Sequence, residues 1–196
     1  MKTHKAFYFW ILLIVFAGGL WFLQAMLKQS GSALIPGNGG EFTLTSVSGD
    51  VSLSDFKGKV VMVYFGYMSC PDVCPTALLI MGSAMDMLSQ QQAEQVQGIF
   101  ISLDPDRDSP LAISQYASGF NESFIGLTDR KSVIDQVARQ YKVVYKKTPL
   151  KNSSIGYVVD HTSVTYLIDQ YGVLQYSLPH NSSAEKVTES IRSLLN

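Results

Sequence analysis

The sequence predicts a mixed α/β domain in which helices cover both faces of a central sheet. The first indication is KVVMVYFGY, residues 59–67, an uninterrupted apolar and β-branched run of the kind that forms a strand buried on both faces. The second is that strand and helix patterns alternate after this run. The third is a closing pair of strands followed by a helix, which favours one mixed sheet around one core.

Each element follows from its hydrophobic period and its turn residues. FTLTSV and VSLSDF flank the turn-forming SGD and predict a hairpin, and the helical spacing from Pro75 to about Gln92 predicts a helix with Pro75 in its first turn. The later strands are predicted at VQGIFISLD, FIGLT, SVTYLID and VLQYSLP, and the later helices at PLAISQYASGF, DRKSVIDQVARQY and SAEKVTESIRSLL. This outline is similar to a thioredoxin-like fold with an added N-terminal β-hairpin and an insertion near residues 144–160.

An uncharged apolar stretch precedes the domain, from Ala6 to Leu27. A helix needs about 20 mainly apolar residues to cross the hydrocarbon layer, and Trp10 and Trp21 are placed to lie near its two interfaces. We therefore predict one transmembrane helix, an anchor at residues 6–27. A cleaved signal peptide is the alternative, but its apolar core is usually about 7–15 residues long and ends at a small-residue cleavage site.

Basic residues around the predicted anchor set its orientation. Lys2 and Lys5 precede it and only Lys28 follows closely, so residues 1–5 are expected to form a cytoplasmic tail. The beginning of the chain is too poor in Arg and Ser to resemble a mitochondrial transit peptide. The prediction is a single-pass protein of the bacterial inner membrane, with its C-terminal domain in the periplasm or on the outer face. Residues 28–40 predict a flexible linker, and residues 41–196 the folded domain.

Composition limits the class of protein. With 196 residues, 46% of them hydrophobic, the chain is long enough for one ordinary core. All 16 acidic residues lie from Glu41 onward, whereas three of the 15 basic residues precede it, so the predicted domain has a formal charge of −4. This mildly acidic balance argues against nucleic-acid binding.

The chain contains only two cysteines, Cys70 and Cys74, at the junction between the buried strand and the following helix. Residues four apart on a helix lie on one face, and the free N–H groups at a helix N-terminus stabilise a thiolate, so the pair suits a metal-binding dithiolate. A structural disulfide is one alternative, although closing so small a loop stabilises a fold little. A thiol–disulfide exchanger is another, because it needs low-pKa thiols in such a place.

A third ligand would separate these interpretations. Of the three histidines, His4 lies in the predicted tail, His180 in the polar loop PHNSS, and His161 beside an apolar strand in GYVVDHTSVTYLID. His161 is thus the candidate, but a lone histidine beside a strand is more often a surface or core residue than a ligand.

Three blocks carry a family resemblance: YFGYMSCPDVCPTAL, SLDPDRDSP and VVDHTSVTYLID, in this order. Together they resemble the signature blocks of the Sco/SenC family of copper-binding, thioredoxin-like assembly factors for cytochrome c oxidase. The resemblance spans roughly residues 41–196, and it implies Cys70, Cys74 and His161 as metal ligands. Two thiolates and one imidazole are soft enough to hold Cu(I), whereas Cu(II) would favour added N or O donors such as a water or Asp72.

The resemblance implies a function as well as a ligand set. The resemblance implies a membrane-anchored, extracytoplasmic metallochaperone and not an enzyme. Such a protein is expected to deliver copper to the dinuclear copper centre of cytochrome c oxidase subunit II or to another membrane cuproenzyme. Such a protein needs an upstream copper donor and a thioredoxin-like reductant, because an oxidised cysteine pair cannot bind copper. The alternative is a thiol-disulfide oxidoreductase that uses Cys70 and Cys74 to reduce the cysteines of the acceptor site.

Three neighbouring features have simpler interpretations. The segment DPDRDSP, residues 104–110, is expected to emerge near the cysteines, and its end is also ordinary helix-start chemistry, with Ser109 before Pro110. Asp160 is adjacent to His161, but neighbours on a strand point to opposite faces, which disfavours a contact with the imidazole. The basic stretch at 139–151 fits either a docking surface for an acidic partner or a solvated face.

Overall fold

The structure is a computed structural model that describes residues 39–151 and 153–195, together with Gly19. The chain divides into two compact units, Met1–Ala33 and Leu34–Asn196. The predicted tail, anchor and most of the predicted linker lie outside the described residues. Within the described part of the chain, no helix has both the length and the apolar character that crossing a bilayer requires.

The described residues of the second unit form nine strands, in chain order β1 (Thr43–Ser46), β2 (Gly49–Ser52), β3 (Val60–Gly66), β4 (Val96–Ser102), β5 (Ile125–Leu127), β6 (Tyr145–Pro149), β7 (Tyr157–His161), β8 (Val164–Ile168) and β9 (Leu174–Pro179). Its α-helices within the described residues are α1 (Val73–Asp86), α2 (Gln90–Ala93), α3 (Pro110–Ser118), α4 (Lys131–Gln140) and α5 (Ala184–Leu195).

Five strands form the central sheet in the order β5-β4-β3-β8-β9. β3 pairs in parallel with β4, which pairs in parallel with β5, while β8 runs antiparallel to both β3 and β9. All seven residues of β3 are buried, as the apolar run predicted, because this strand lies in the middle of the sheet. The mixed α/β sheet and the N-terminal hairpin of β1 and β2 are confirmed.

Two predicted elements end earlier than their hydrophobic pattern indicated. The second hairpin strand stops at Ser52 and continues as a 3-10 helix, Leu53–Phe56, because the Asp55 carboxylate accepts a hydrogen bond from the Ser52 N–H at 2.8 Å. The helix predicted to reach about Gln92 ends at Asp86. Ser89 then starts α2 through a reciprocal pair of hydrogen bonds with Gln92, a cap that competes with continued helix.

The insertion near residues 144–160 is a β-hairpin, which the sequence analysis did not predict. β6 and β7 pair antiparallel, with Tyr145 opposite His161, and form a two-stranded sheet of their own. Among the described residues, neither strand joins the ladder of the central sheet. The hairpin therefore depends on side chains for its attachment to the rest of the domain.

The ends of β3 and β4 determine where the site lies. Gly66 and Ser102, the last residues of the two strands, are register partners, so the chain segments that follow them leave the sheet at the same edge. The Met68 N–H donates to the Asp108 carboxylate at 3.0 Å, which joins the cysteine loop to the segment 104–110. The predicted proximity of these two segments is thus confirmed.

Candidate metal centre

Strand β3 delivers the two cysteines to the edge of the sheet. After Gly66 the chain makes a short turn in which the Cys70 N–H donates to the Tyr67 carbonyl at 3.2 Å, and α1 then begins at Val73. Cys70 lies just before the helix and Cys74 within its first turn. Both side chains are buried, and neither cysteine is in a disulfide.

Hairpin β6–β7 supplies the third side chain of the site. His161 is the last residue of β7, and its Nε2 lies 3.3 Å from the Cys74 Sγ. The Nδ1 lies 3.0 Å from the carbonyl oxygen of Thr162, and since a carbonyl only accepts, this nitrogen carries the hydrogen. With Nδ1 occupied by this carbonyl, Nε2 is the ring nitrogen that faces the sulfurs, which is the orientation that a metal ligand needs.

The three candidate ligands converge on one point. The sulfur atoms of Cys70 and Cys74 and a ring nitrogen of His161 all lie within 4.8 Å of one another. Two soft sulfur donors with one imidazole suit Cu(I), whereas hard ions prefer oxygen ligands. Within the described residues this is the group of cysteine, histidine and acidic side chains with the geometry to hold a metal ion, and it includes neither His180 nor Asp72.

The two sulfurs differ in their environment and in their ionisation. The Cys74 thiol donates a hydrogen bond to Cys70, and backbone N–H groups at the start of α1 add to it, including that of Cys74 at 3.5 Å. These donors outweigh burial and lower the pKa of the Cys70 thiol from 9.0 to about 3. The same hydrogen bond, together with burial, raises the pKa of Cys74, so the pair holds one proton on Cys74.

Glycine at position 66 gives Cys74 its space. A Cβ atom at Gly66 would lie 2.8 Å from the Cys74 sulfur and 2.8 Å from Cε2 of Phe100, closer than carbon atoms approach either group. The absence of a side chain at the end of β3 thus allows α1 to bring this thiol against the sheet.

Two tyrosines set the plane of the imidazole. The rings of Tyr64 and Tyr67 pack edge to face against His161, with centroid distances of 6.2 and 6.0 Å and interplanar angles of 84° and 87°. Both tyrosines are buried and belong to β3 and the turn after it. The sequence analysis missed this role, although YFGY places an aromatic ring on each side of Gly66 and just before the cysteine loop.

Neither Asp160 nor Asp72 belongs to the ligand group. The Asp160 carboxylate accepts a hydrogen bond from the Thr148 hydroxyl at 2.5 Å, on the face of β7 away from His161. Asp72 lines the cleft over the site, and its carboxylate accepts a bond from the Thr76 hydroxyl at 3.4 Å. This geometry agrees with the expectation that Asp160 and His161, as neighbours on a strand, point to opposite faces.

The segment 104–110 has a larger role than a helix start. Ser109 caps α3 as predicted, since its hydroxyl accepts from the Ala112 N–H at 3.3 Å. Asp104 is fully buried, however, and is bound by Arg107, Lys147 and Tyr157. Lys147 belongs to the basic stretch 139–151. The positive charge of Lys147 is therefore neutralised within the molecule by Asp104. The sequence analysis did not predict these pairings, because Asp104 and Lys147 come from distant segments.

Fold and site together define a class of protein: a thioredoxin-like domain with a Cys-x-x-x-Cys pair at the start of a helix and a distant histidine beside it. The sequence model of one family, SCO1/SenC, matches residues 34–196. The chain belongs to the SCO1/SenC family, as the three sequence blocks indicated.

Individual relatives support this assignment. A SCO2-like protein of Rickettsia conorii is 36% identical over 156 residues, which cover 79% of this chain and 76% of that protein. The apo Sco1 protein of Thermus thermophilus is 33% identical, with a TM-score of 0.76 over 84% of this chain and 96% of that one. The ScoI protein of Bradyrhizobium japonicum, solved with copper bound, is 34% identical, with a TM-score of 0.72 over 81% and 100% of the two chains. The predicted thioredoxin-like fold is thereby confirmed.

Proposed function

We propose that this protein is a copper metallochaperone that binds Cu(I) through Cys70, Cys74 and His161. The observation that carries the proposal is the convergence of two sulfurs and one imidazole nitrogen within 4.8 Å in a buried place at the edge of the sheet. A copper-bound relative with the same fold supports copper as the ion. The donor set supports the reduced state, because thiolates and imidazole stabilise Cu(I) without further ligands.

Delivery to cytochrome c oxidase is the second part of the proposal. The family resemblance connects the chain with oxidase assembly, and the dinuclear copper centre of subunit II is the proposed acceptor. Transfer would proceed by ligand exchange, in which an acceptor thiol or imidazole replaces Cys70, Cys74 and His161 in turn. His161 is only partly buried, so this ligand is open to displacement from the cleft.

The cellular setting is also part of the proposal. We propose that residues 6–27 anchor the chain in the bacterial inner membrane and that the domain from residue 41 lies outside the cytoplasm. The uncharged apolar run and the preceding lysines support this setting. An oxidising compartment would require a thioredoxin-like reductant to keep Cys70 and Cys74 as thiols, and an upstream donor to supply the copper.

Titration of the reduced full chain in detergent with Cu(I), against a competing chelator of known affinity, tests the metal site. His161→Ala is expected to weaken binding by more than about 100-fold, beyond the range for loss of an outer-shell partner. His180→Ala is the matched control, because this histidine lies on the same domain outside the ligand group, and it is expected to bind as the wild type does. Equal binding by His161→Ala would remove His161 from the site.

Copper transfer tests the delivery step separately. The copper-loaded chain is mixed with reduced apo subunit II, and the absorption of the dinuclear centre is followed with time. Appearance of that absorption supports delivery. Its absence while the loaded chain keeps its copper would contradict the acceptor but not the metal site.

One observation favours a second candidate function. The lowered pKa of Cys70 keeps this residue as a thiolate at neutral pH, which is what thiol–disulfide exchange requires. The chain would then attack a disulfide of the acceptor with Cys70 and release it by forming the Cys70–Cys74 disulfide. His161→Ala distinguishes the functions, because it should abolish tight copper binding while leaving reduction of the acceptor disulfide in place.

A further inference from the structure

The position of His161 depends on a hairpin that the central sheet does not hold by backbone pairing. β6 and β7 pair only with each other among the described strands. The side chain of Val159 is buried in the core, and the partly buried rings of Tyr145 and Tyr157 pack against it. The polar contacts that fasten this hairpin therefore help to determine where the imidazole lies relative to the two sulfurs, one in the turn after β3 and the other in α1.

Arg107 makes several of the polar contacts that join the two parts, beside the hydrogen bond from the Tyr145 hydroxyl to the Asp135 carboxylate on α4. Its Nη1 donates to two carbonyl oxygens of the hairpin, those of Ile155 at 2.9 Å and Tyr157 at 3.1 Å. Its guanidinium also stacks over the ring of Tyr157, with Cζ 3.8 Å from the centroid. Tyr157 is the first residue of β7, the strand whose last residue is His161.

Arg107 also lies close to Tyr67, in the turn that follows β3. Its Cζ lies 5.8 Å from the centroid of Tyr67, the ring that packs edge to face on His161 at 6.0 Å. The guanidinium therefore lies between the turn that leads to the cysteines and the strand that carries the histidine. A planar cation with five donors can bind carbonyls on one side and stack on rings with its faces, which a lysine cannot do.

Asp104 holds Arg107 in this place. Its buried carboxylate accepts from the Arg107 Nε, from the Tyr157 hydroxyl at 2.7 Å and from the Lys147 ammonium at 2.7 Å. Lys147 is on β6 and Tyr157 on β7, so the carboxylate binds both strands of the hairpin. The segment after β4 thus contacts the hairpin through Asp104 and Arg107 together.

We propose that Arg107, held by Asp104, is a positioning residue that fastens the β6–β7 hairpin and so keeps the His161 imidazole beside the two sulfurs. Arg107 does not touch the metal; it acts through His161. The inference rests on the proposed function, in which His161 is a copper ligand. Under this inference, the affinity for copper depends partly on the D-P-D-R-D segment, residues 104–108, which follows β4 and contains no metal ligand.

Hydrogen exchange on the reduced, metal-free full chain in detergent tests the fastening. In Arg107→Ala, the amides of β6 and β7 are expected to exchange about tenfold faster or more, because several hydrogen bonds to a charged group are lost. The amides of β3 should be unchanged. Arg130→Ala is the matched control, since that side chain is 85% exposed and its nearest carboxylate, on Asp129, is 3.8 Å away. Equal exchange in the two variants would overturn the proposal.

Copper affinity in a double-mutant cycle tests whether Arg107 acts through His161. Arg107→Ala alone is expected to weaken Cu(I) binding about 10- to 100-fold, as losses of outer-shell partners do. In the His161→Ala background the same change should alter affinity less than about twofold, because the group it positions is gone. An equal loss in both backgrounds would overturn the positioning role.

These outcomes separate the inference from the proposed function. A wild-type chain that binds no copper contradicts both, whereas wild-type binding with additive losses contradicts the inference alone. If Arg107→Ala does not fold, Arg107→Lys is used in the same cycle. It keeps the positive charge beside Asp104 but loses the planar fork, and the same non-additivity with His161→Ala is expected.

Discussion

The Sγ of Cys74 and the Nε2 of His161 lie 3.3 Å apart, although 87 positions separate the two residues in the chain. One atom is fixed by a helix that follows directly from a buried strand, and the other by the end of a separate hairpin. The candidate metal centre therefore forms only when both parts of the domain are in place. Four further consequences of the structure can be tested.

Cys70 should react as a thiolate over a wide pH range. With a thiol pKa of about 3, its alkylation rate by iodoacetamide in the reduced, metal-free protein is expected to be constant between about pH 5 and 8. Cys74 should react slowly, because its pKa is raised and it has no exposed surface, whereas Cys70 is 8% exposed. Peptide mass spectrometry follows each site. In denaturant the Cys70 rate should rise with pH toward an ordinary pKa of about 8.5, and a parallel rise in the folded protein would contradict the prediction.

Gly66→Ala should disturb both the fold and the site. The new methyl group would lie 2.8 Å from the Cys74 sulfur and from Phe100, and such overpacking costs about 1–3 kcal/mol of the free energy of unfolding. Displacing Cys74 should also weaken Cu(I) binding. Urea unfolding and chelator competition measure the two effects. Gly119→Ala is the control, because a Cβ at that position meets only backbone oxygens, at 3.3 and 3.5 Å. Wild-type stability and wild-type copper affinity in Gly66→Ala would contradict the prediction, since they would show that the Cys74 sulfur has room to move.

Asp104 should stabilise the protein in a pH-dependent way. Burial opposes its ionisation, but hydrogen bonds from Lys147, Tyr157 and Arg107 outweigh this and lower the pKa of its carboxyl. A lowered folded-state pKa contributes stability that is complete above the unfolded value of about 3.9 and is lost as the pH falls through the folded value. Asp104→Asn should therefore cost about 2 kcal/mol at pH 7, less than the ~3–5 kcal/mol of a pair buried on both sides, because the Arg107 and Lys147 side chains are 23% and 28% exposed.

Urea unfolding at several pH values checks this expectation. The difference between wild type and Asp104→Asn should shrink as the pH falls below about 4. Asp106→Asn is the matched control, because Asp106 binds the same Lys147 at 2.7 Å but has a side chain that is 68% exposed. Its cost should be below about 1 kcal/mol. A constant difference between wild type and Asp104→Asn at all pH values would show that the charge of Asp104 is not what stabilises the fold.

Ser109→Ala should destabilise α3 through its cap alone. The exposed Ser109 hydroxyl accepts from the Ala112 N–H, and loss of such an N-cap costs about 1 kcal/mol. Thermal unfolding followed by circular dichroism measures the change. Ser118→Ala, at the other end of the same helix, removes an exposed hydroxyl without an N-cap and should have a smaller effect. Equal effects of the two substitutions would remove the cap as the cause.

Local rules explain why part of the site was predictable. Cys70 and Cys74 are four residues apart at a strand-to-helix junction, so the buried run of β3 and the helical spacing of α1 were enough to place both thiols on one side of a helix start. His161 was different, because its position beside a strand is also typical of an ordinary histidine. Only the resemblance of the D-H-T block to a family motif pointed to it, and the geometry then brought it to the sulfurs.

The hairpin and its fastening were not predictable in this way. KKTPLKNSSIGY has Gly, Pro and polar residues that are typical of a mobile loop, and no apolar alternation marks β6. Its strands form because Lys147, Tyr157 and Val159 find partners on other segments. The pairing of Tyr157 with Asp104, for example, joins residues 53 positions apart, and no local pattern encodes it.

The amino-acid sequence alone determined the order of strands and helices around β3 and the placement of a thiol pair at the start of α1, because hydrophobic period and helix-start chemistry act over a few neighbouring residues. The tertiary structure decided that the insertion is a hairpin, that Asp104 and Arg107 bind it, and that the imidazole of His161 faces Cys74. These relationships depend on which distant side chains become buried together, and burial is a property of the packed domain.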